Sequence, residues 1–587
     1  MKSLNKKHPR VRQGETKKHL LPLLQGSQGV LIAFTSGILM GLTVAPVNAW
    51  FLAWIALAPL WVLIIQNHAT CYNEGLRGPH EVGLGGDPNA SCLRRETLPQ
   101  HWLRNAVAPK SQIQNSLAWG IGYHGTALHW ITGMHPMTWL GVPWLGSLAI
   151  ALFSWIFITL WGAALVTTWG LGMRLVCRSI HNALQRVLIG TALWCALESL
   201  WSSGPLWWTS LSYTQSPHNL VILHLGQLTG PSAVTAAIVA VNGFLALAWI
   251  NRQDRKNTKN SFVPFVSSWF VHFTIALTLF ITCHLLGFNL YNQPLVQPPE
   301  SALKVGIIQG NIPNNIKFYT DGLRRALEGY TTGYENLVAQ GVDAVLTPEG
   351  ALPYFQSRIK ATSLGWAVRD KGVVAWIGGY GEHQGINYTN SLFTFTKDGE
   401  IFSRYDKAKL VPLGEYIPFE EILGGLISRL SPLEAKQVPG KAKQIFDTPF
   451  GRAIAGICYE SAFPEIFRYQ AAQGGQFILT GANNDPYSAA MQAQHHAQDT
   501  MRAIETDRWA VRATNTGLSA FVDPHGKTVW ISGHKTYETH AETIYRRQTQ
   551  TLYVRWGDWL TPLLLGLGAI AWCVKIFLQN DGKTKRS

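Results

Sequence analysis

The sequence predicts an α-helical polytopic membrane domain of about eight transmembrane helices joined to an extracytoplasmic α/β layered domain. Three observations predict it. Apolar residues make up 47% of the 587-residue chain and charged residues only 14%, against about 25% charged in an average soluble domain. Apolar runs of membrane-crossing length recur through the first half and once more near the end. From Leu303 onward the texture changes to short apolar runs alternating with amphipathic segments, the pattern of strands and helices stacked in layers.

Residues 1–28 form a basic tail carrying Lys2, Lys6, Lys7, Arg10, Arg12, Lys17 and Lys18. With no apolar core and no small-residue cleavage site after it, the tail reads as cytoplasmic rather than as a signal peptide. Apolar runs follow at about 29–45, 50–66, 114–134, 145–170, 187–203, 231–250 and 265–288, and an eighth spans Trp559 to Leu578. Each is about as long as a bilayer-crossing helix must be, the first two at the short limit and suited to a hairpin. The connections on the side of the N-terminus carry Arg77, Arg94, Arg95, Arg104 and Lys110, then Arg174, Arg178 and Arg186, then Arg252, Arg255, Lys256 and Lys259, and finally Lys583, Lys585 and Arg586. The short loops near 135–144 and 204–220 on the other side have no Lys, Arg, Asp or Glu. That asymmetry puts both termini in the cytoplasm. The expected domains are therefore a seven-helix membrane domain at 29–288 with a cytoplasmic insert at 67–113, an external domain at 289–557, a last helix at 558–578 and a cytoplasmic tail at 579–587.

The net charge of +15 is spread over these connections, so it reports topology and not a nucleic-acid partner. Cys71, Cys92, Cys177, Cys195, Cys283, Cys458 and Cys573 are odd in number and mostly lie in or beside apolar runs, which is no disulfide framework. His68, Cys71, His80 and Cys92 in the insert have no compact zinc spacing, and the insert reads as a flexible loop. No P-loop, H-E-x-x-H or paired CxxC occurs, so neither a metal nor another cofactor is expected. Glu198, His124 and His129 sit inside apolar runs, where a charge is costly. They fit either a polar lining for a lipid headgroup or amine, or hydrogen bonding between helices. Gly204-Pro-Leu-Trp-Trp208 reads as an aromatic anchor at the outer membrane interface.

In the external part, β-type runs are expected at 304–309, 344–347, 373–378, 391–395, 401–405, 453–457, 477–480, 510–513, 519–522 and 528–531, with helices at 322–340, 358–371, 464–473 and 488–507. Three strand ends carry chemistry. Ala344-Val-Leu-Thr-Pro-Glu349 ends in a carboxylate, Arg404-Tyr-Asp-Lys407 in an ammonium, and Gly451-Arg-Ala-Ile-Ala-Gly-Ile-Cys458 in the only cysteine between Leu303 and Trp556. A carboxylate to take the thiol proton, a thiolate to attack a carbonyl and an ammonium to stabilise the oxyanion together suit acyl transfer. A Cys/His pair fits less well, because no suitable histidine accompanies Cys458. His495 and His496, adjacent on one helix, point to different faces and read as structural or surface residues.

The motifs T-P-E-G at 347–350, Y-x-K-x-x-L-V-P-x-G-E-Y-I-P at 405–418 and G-I-C-Y-E at 456–460 resemble the nitrilase, or carbon–nitrogen hydrolase, superfamily. The resemblance implies an αββα sandwich with Glu349 as general base, Lys407 as oxyanion stabiliser and Cys458 as nucleophile. It also implies that Glu415 orients the lysine and the attacking amine, and that Tyr459 and Glu460 supply a backbone N–H and a supporting carboxylate. Joined to membrane helices, it implies an acyltransferase: a phospholipid donates an acyl chain to the cysteine, and the α-amine of a diacylglyceryl-modified apolipoprotein accepts it. The runner-up is a membrane-tethered carbon–nitrogen hydrolase acting on a small amide; a transporter or lipid-binding scaffold with a degenerate external domain fits the intact Glu349, Lys407 and Cys458 less well. After Asn483-Asn484-Asp485 the superfamily pattern gives way to Pro486-Tyr487-Ser488, near the expected substrate entrance. Arg502 to Arg508 and Arg512 to Gly517 fit either support of the active-site floor, with lipid-phosphate contact, or a purely structural turn from helix to strand.

Overall fold

The computed structural model describes residues 27–75, 110–257, 267–412, 414–416 and 436–584. The tail up to residue 26, residues 76–109 of the insert, with His80 and Cys92, residues 413, 417 and 418 of the second motif, and residues 585–587 lie outside the described residues.

The membrane half is helical, its principal helices being Ser27–Gly41, Ala58–Gly75, Lys110–Ala127, Trp144–Ser179, Ala183–Ser203, Pro231–Asn257, Ser268–Tyr291 and Leu560–Thr584. Among the described residues, Trp144–Ser179, Pro231–Gln253 and Ser268–Tyr291 are long and apolar enough to cross a membrane, while Ser27–Gly41, Trp50–Gln66 and Leu560–Val574 are shorter apolar stretches. By length and composition, then, three of the eight expected crossings qualify. Gln112, Gln114 and Asn115 in one helix and Arg186 and Glu198 in another dilute two more.

Three expectations for this half change. The run at 50–66 is not one helix: a 3₁₀ turn at Trp50–Leu52 and a single turn at Ala53–Ala56 precede Ala58–Gly75. Asn242 fills the break, its Oδ1 accepting from the N–H groups of Leu57 (3.0 Å) and Ala58 (2.8 Å) and its Nδ2 donating to the Ala53 carbonyl (2.9 Å). Where water is absent, a broken helix needs such a partner. Second, the helix continues to Gly75 and the next begins at Lys110, so both edges of the 67–113 stretch are helical and not loop. Third, Trp207 and Trp208 are buried and face protein rather than the lipid interface.

The other half is a four-layer sandwich. One sheet has the order β12-β1-β2-β3-β4-β5, from β1 (Ala302–Gln309), β2 (Ala344–Leu346), β3 (Val374–Glu382), β4 (Tyr388–Phe395), β5 (Ile401–Asp406) and β12 (Glu538–Tyr545). The second has the order β11-β10-β9-β8-β7-β6, from β6 (Phe446–Thr448), β7 (Gly451–Ile457), β8 (Ile478–Ala482), β9 (Ala510–Thr514), β10 (Ala520–Val522) and β11 (Thr528–Ile531). Val305, Ile307, Leu346 and Trp376 of the first sheet meet Ala455, Ile457, Leu479 and Val511 of the second in one buried core. Helices Thr320–Ala339 and Ser363–Lys371 cover the first sheet through Tyr334, Leu337, Leu364 and Val368. Pro464–Ala472 covers the second through Phe467 and Ala471, and Ala489–Thr506 joins it there through Ala503. β2 runs parallel to β1 and β3, and β7 parallel to β8, so several C-terminal strand ends emerge on one side.

Helix Ala489–Thr506 is buried nearly all round because it lies between the sandwich and the membrane helices. Gln494 is its main dock: Oε1 accepts from the indoles of Trp130 (3.1 Å) and Trp208 (2.8 Å), and Nε2 donates to the carbonyls of Ala45 (3.0 Å) and Ala127 (2.8 Å). Gln494→Leu leaves two indole donors and two carbonyls without partners, at about 1–3 kcal/mol for each group that water cannot reach. The expected outcome is a lower unfolding temperature of the detergent-solubilised protein, measured by intrinsic tryptophan fluorescence, with Gln494→Glu also destabilised because its second oxygen faces the Ala45 and Ala127 carbonyls.

Candidate active site

Glu349, Lys407 and Cys458 follow the ends of β2, β5 and β7, from the two facing sheets. Close backbone approach holds the first in place: a Cβ on Gly378 of β3 would lie 2.0 Å from the Pro348 carbonyl, so only glycine lets the segment before Glu349 lie against that strand. Cys458 begins a 3₁₀ turn, Cys458–Ala462, with φ of +52°. Left-handed backbone costs a non-glycine residue about 1–2 kcal/mol and lifts the side chain sharply out of the strand line. The strain is held from both sides, by Glu460 Oε2 accepting the Ile457 N–H (2.7 Å) and by His495 Nε2 bonded to the Cys458 carbonyl (2.7 Å).

Lys407 and Glu349 are buried and Glu415 nearly so. The Lys407 Nζ donates to Glu349 Oε1 (2.8 Å) and to Glu415 Oε1 (2.8 Å), a single ammonium shared by two carboxylates. Glu349 also accepts from Asn390 Nδ2 at Oε1 (2.7 Å) and from the Asn483 N–H at Oε2 (2.8 Å), and Glu415 Oε2 accepts the Val411 N–H (2.7 Å). Burial pushes the Glu349 carboxyl up, but the Lys407 ammonium and these donors outweigh it and hold Glu349 below the usual carboxylate range. Lys407 moves the other way. Burial disfavours its charge, yet Glu349, Glu415 and the nearby Cys458 keep it protonated well above the usual lysine range. Burial, and then Glu349, push the Cys458 thiol up to about 12, against the pull of Lys407. At rest the site therefore holds a neutral thiol beside an ionised carboxylate and a permanent ammonium, the groups needed for proton removal, attack on a carbonyl and oxyanion stabilisation.

Glu460 joins two of the strand ends. Its Oε1 accepts from the N–H groups of Ala408 (2.7 Å) and Lys409 (3.3 Å), its Oε2 from that of Ile457, and Tyr405 donates to both oxygens. Tyr459 faces the membrane half: its hydroxyl donates to the Pro205 carbonyl (2.7 Å) and accepts the Trp207 N–H (3.1 Å), and its ring lies parallel to Trp208. The 204–208 loop is thus bonded to the residue after the cysteine. Glu198 accepts from Trp194, Ser210, Thr235 and the Leu211 N–H, so helix-to-loop hydrogen bonding accounts for it. His124 bonds Thr209 on the same loop, whereas His129 caps its own turn at the Thr126 carbonyl.

Several site neighbours have no sequence signal of their own. Asn390 interrupts β4, whose polar Thr389-Asn390-Ser391 was the one available hint. His495 is buried and structural: its Nδ1 receives donors from Asn484 (3.0 Å) and Arg512 (2.7 Å), which assigns the proton to Nε2 and makes it the donor to Cys458. Burial and Arg512 hold this imidazole down at about 3, so it stays neutral. His496 bonds Thr528 instead; neither histidine is at the surface. Arg512 is ion-paired with Asp499, Arg502 with Glu505, and all four are buried, so these arginines support the floor and do not face lipid phosphate. Tyr487 packs edge-on against Trp130, which places the divergent Pro486-Tyr487-Ser488 at the junction of the two halves. Among the described residues, no three His, Cys, Asp or Glu side chains cluster as metal ligands would.

Residues 304–552 match the family model described as carbon–nitrogen hydrolase, and residues 98–244 match that of the apolipoprotein N-acyltransferase N-terminal domain. Three cyanobacterial proteins named apolipoprotein N-acyltransferase align along most of the chain. The one from Nostoc sp. is 59% identical, covering 92% of this chain and 98% of its own. That from Synechocystis sp. is 47% identical over 92% and 99% respectively, and that from Thermosynechococcus vestitus 41% over 90% and 91%.

Glu460→Gln tests the clamp between strand ends. Each carboxylate oxygen of Glu460 accepts a backbone N–H, so either orientation of an amide sets its NH₂ against a donor, at about 1–3 kcal/mol. The expected outcome is a lower unfolding temperature together with slower alkylation of Cys458 by iodoacetamide, read by peptide mass spectrometry.

Proposed function

We infer, from the premise that the chain belongs to the apolipoprotein N-acyltransferase family, that it moves an acyl chain from a membrane phospholipid to the α-amine of the diacylglyceryl-cysteine at the N-terminus of an apolipoprotein. One observation carries the catalytic assignment: the Cys458 thiol shares a buried site with Glu349, Lys407 and Glu415, and the next residue is bonded to a loop of the membrane helices.

In the first step Glu349 takes the Cys458 proton as Sγ attacks the carbonyl of the sn-1 ester. Lys407 stabilises the oxyanion while Glu415 holds its ammonium in place. As the carbon–oxygen bond breaks, the proton passes from Glu349 to the leaving alkoxide, releasing lysophospholipid and leaving a thioester on Cys458. In the second step the lipoprotein α-amine attacks the thioester, Glu349 takes an amine proton and returns it to the departing sulfur, and the amide is formed with the thiol restored. Glu460 and Tyr459 act by position, the first between the chains of Lys407 and Cys458, the second toward the membrane half. The bias of basic residues toward one side supports a bacterial inner-membrane protein with both termini cytoplasmic and the domain at 289–557 on the outer face, where both lipid-anchored substrates are within reach.

Intact-mass analysis after incubation with phosphatidylethanolamine tests this reading. A hydroxylamine-labile acyl adduct is expected on the wild type and absent from Cys458→Ala. Glu349→Gln is expected to slow adduct formation by about 10²–10⁴-fold, the usual worth of a general base. A wild type that stays unacylated while a thiol probe still labels Cys458 excludes phospholipid as the donor.

A further inference from the structure

A second lysine lies at this site. Lys317 ends the short helix Asn314–Lys317 and is only 6% exposed. Its Nζ lies against the segment that carries Glu349: a Cβ placed on Gly350 would sit 3.2 Å from it and 3.9 Å from the Tyr380 hydroxyl, and Gly350 has φ of +53°. A side chain there would press on the ammonium, which would have to give by a few tenths of an ångström. Yet, among the described residues, no carboxylate comes within 4.0 Å of the Lys317 Nζ. Both Glu349 oxygens are already occupied, Oε1 by Asn390 and Lys407 and Oε2 by the Asn483 N–H.

The charge of the cluster accounts for such a residue. Glu349, Glu415 and Lys407 sum to one uncompensated negative charge in a site nearly closed to water, and buried charge without a counter-charge is costly. When the thiol proton moves to Glu349 that excess is unchanged, because the negative charge leaves the carboxylate as it appears on the substrate oxygen. A second cation facing the cluster offsets that excess both before and after proton transfer. We propose that Lys317 is the positioning residue that neutralises the Glu349–Lys407–Glu415 cluster and keeps Glu349 ionised, ready to accept the Cys458 proton, without itself touching the substrate.

The electrostatics agree with the geometry. Lys317 is among the charges that hold Glu349 down. Burial brings Lys317 itself down to about 8 against the pull of Glu349 and Asp485, so it stays mainly protonated at neutral pH. The groups facing it are Glu349, the Asp485 carboxylate on the 483–488 segment and the Tyr380 hydroxyl on β3, with Lys407 beyond Glu349.

The inference rests on the acyltransfer reading, and its test separates the two. Wild type, Lys317→Met, Lys317→Gln and Lys317→Arg, as full-length protein in detergent, are compared by the rate of Cys458 acylation from phosphatidylethanolamine between pH 3 and pH 9. Loss of the charge raises the Glu349 pKa, and activity needs the ionised form, so the acid limb of the profile moves to higher pH. A shift of about one unit, worth tenfold in rate on that limb, is expected in Lys317→Met and Lys317→Gln. The half-saturating phospholipid concentration should stay within about twofold at pH 7, where Lys317 is mainly protonated, and Lys317→Arg should keep the wild-type limb. Lys317→Gln keeps polarity, so the variant with a native unfolding transition decides the matter if methionine does not fold. An unmoved acid limb overturns the proposal; so does an unmoved limb with a raised half-saturating concentration, which assigns the ammonium to the donor phosphate instead. If the wild type takes no acyl chain at any pH, the acyl-donor reading fails by itself. The pH profile of Cys458 alkylation by iodoacetamide then tests Lys317 independently, with the same shift expected and an unmoved profile overturning the proposal.

Discussion

One ammonium between two carboxylates, closed off from water, is the interaction on which the rest of this site depends. Lys407 holds Glu349 and Glu415 at 2.8 Å each, and breaking such a buried arrangement by removing one partner costs about 3–5 kcal/mol. The surrounding contacts follow from that cost. Asn390 donates to Glu349 and, at 3.4 Å, to Glu415, while the Asn483 and Val411 N–H groups take the outer oxygens. A carboxylate that would be expensive to bury alone is thereby saturated with donors. Glu460 then fixes the chain beside Lys407 to the chain before Cys458, so the charged cluster and the strained thiol keep their separation.

The same demand for satisfied polar groups joins the two halves. A soluble sandwich would turn the outer face of helix Ala489–Thr506 to water. Here that face meets the membrane helices, so its polar side chains must be paired within the protein, and Gln494 makes four bonds to three different segments. Tyr459 completes the connection one residue from the cysteine. The position of the thiol relative to the helical half is set by hydrogen bonds that start one residue from it.

What could be read from the sequence, and what could not, divides along physical lines. Strands delivering Glu349 and Cys458 were legible because each is a short apolar run closed by a polar residue, and the strand before Lys407 because the Asp398-Gly399 turn sets it off. β12 was not, because Glu538-Thr-His-Ala-Glu-Thr-Ile-Tyr545 is a half-exposed edge strand whose pairing partner, β1, lies more than two hundred positions earlier. The helix expected over 358–371 divides at Thr362, whose hydroxyl accepts the Gly365 N–H at 3.2 Å as an N-cap, inside a pattern that looks continuous. The histidines are instructive: adjacent positions on a helix do point to different faces, but both faces of this helix are covered, and which is covered by what is a tertiary fact. Asn390 and Lys317 were equally out of reach, since their roles come from carboxylates 41 and 32 positions away from them.

The resting thiol sets the last constraint. With Cys458 pushed up to about 12, forming the free thiolate at pH 7 costs about 7 kcal/mol, too much to be a populated starting state. In the proposed reaction the proton therefore leaves as the carbon–sulfur bond forms, and the negative charge passes to the substrate oxygen beside Lys407 without resting on sulfur. An enzyme holding a standing thiolate would expose a nucleophile to water, oxidants and any ester that drifts near. Burial here keeps the sulfur neutral until an acyl carbonyl is in place, and the positive φ of Cys458 keeps it aimed while it waits. On this reading, low reactivity at rest and acyl transfer on binding are two consequences of the same buried charge arrangement.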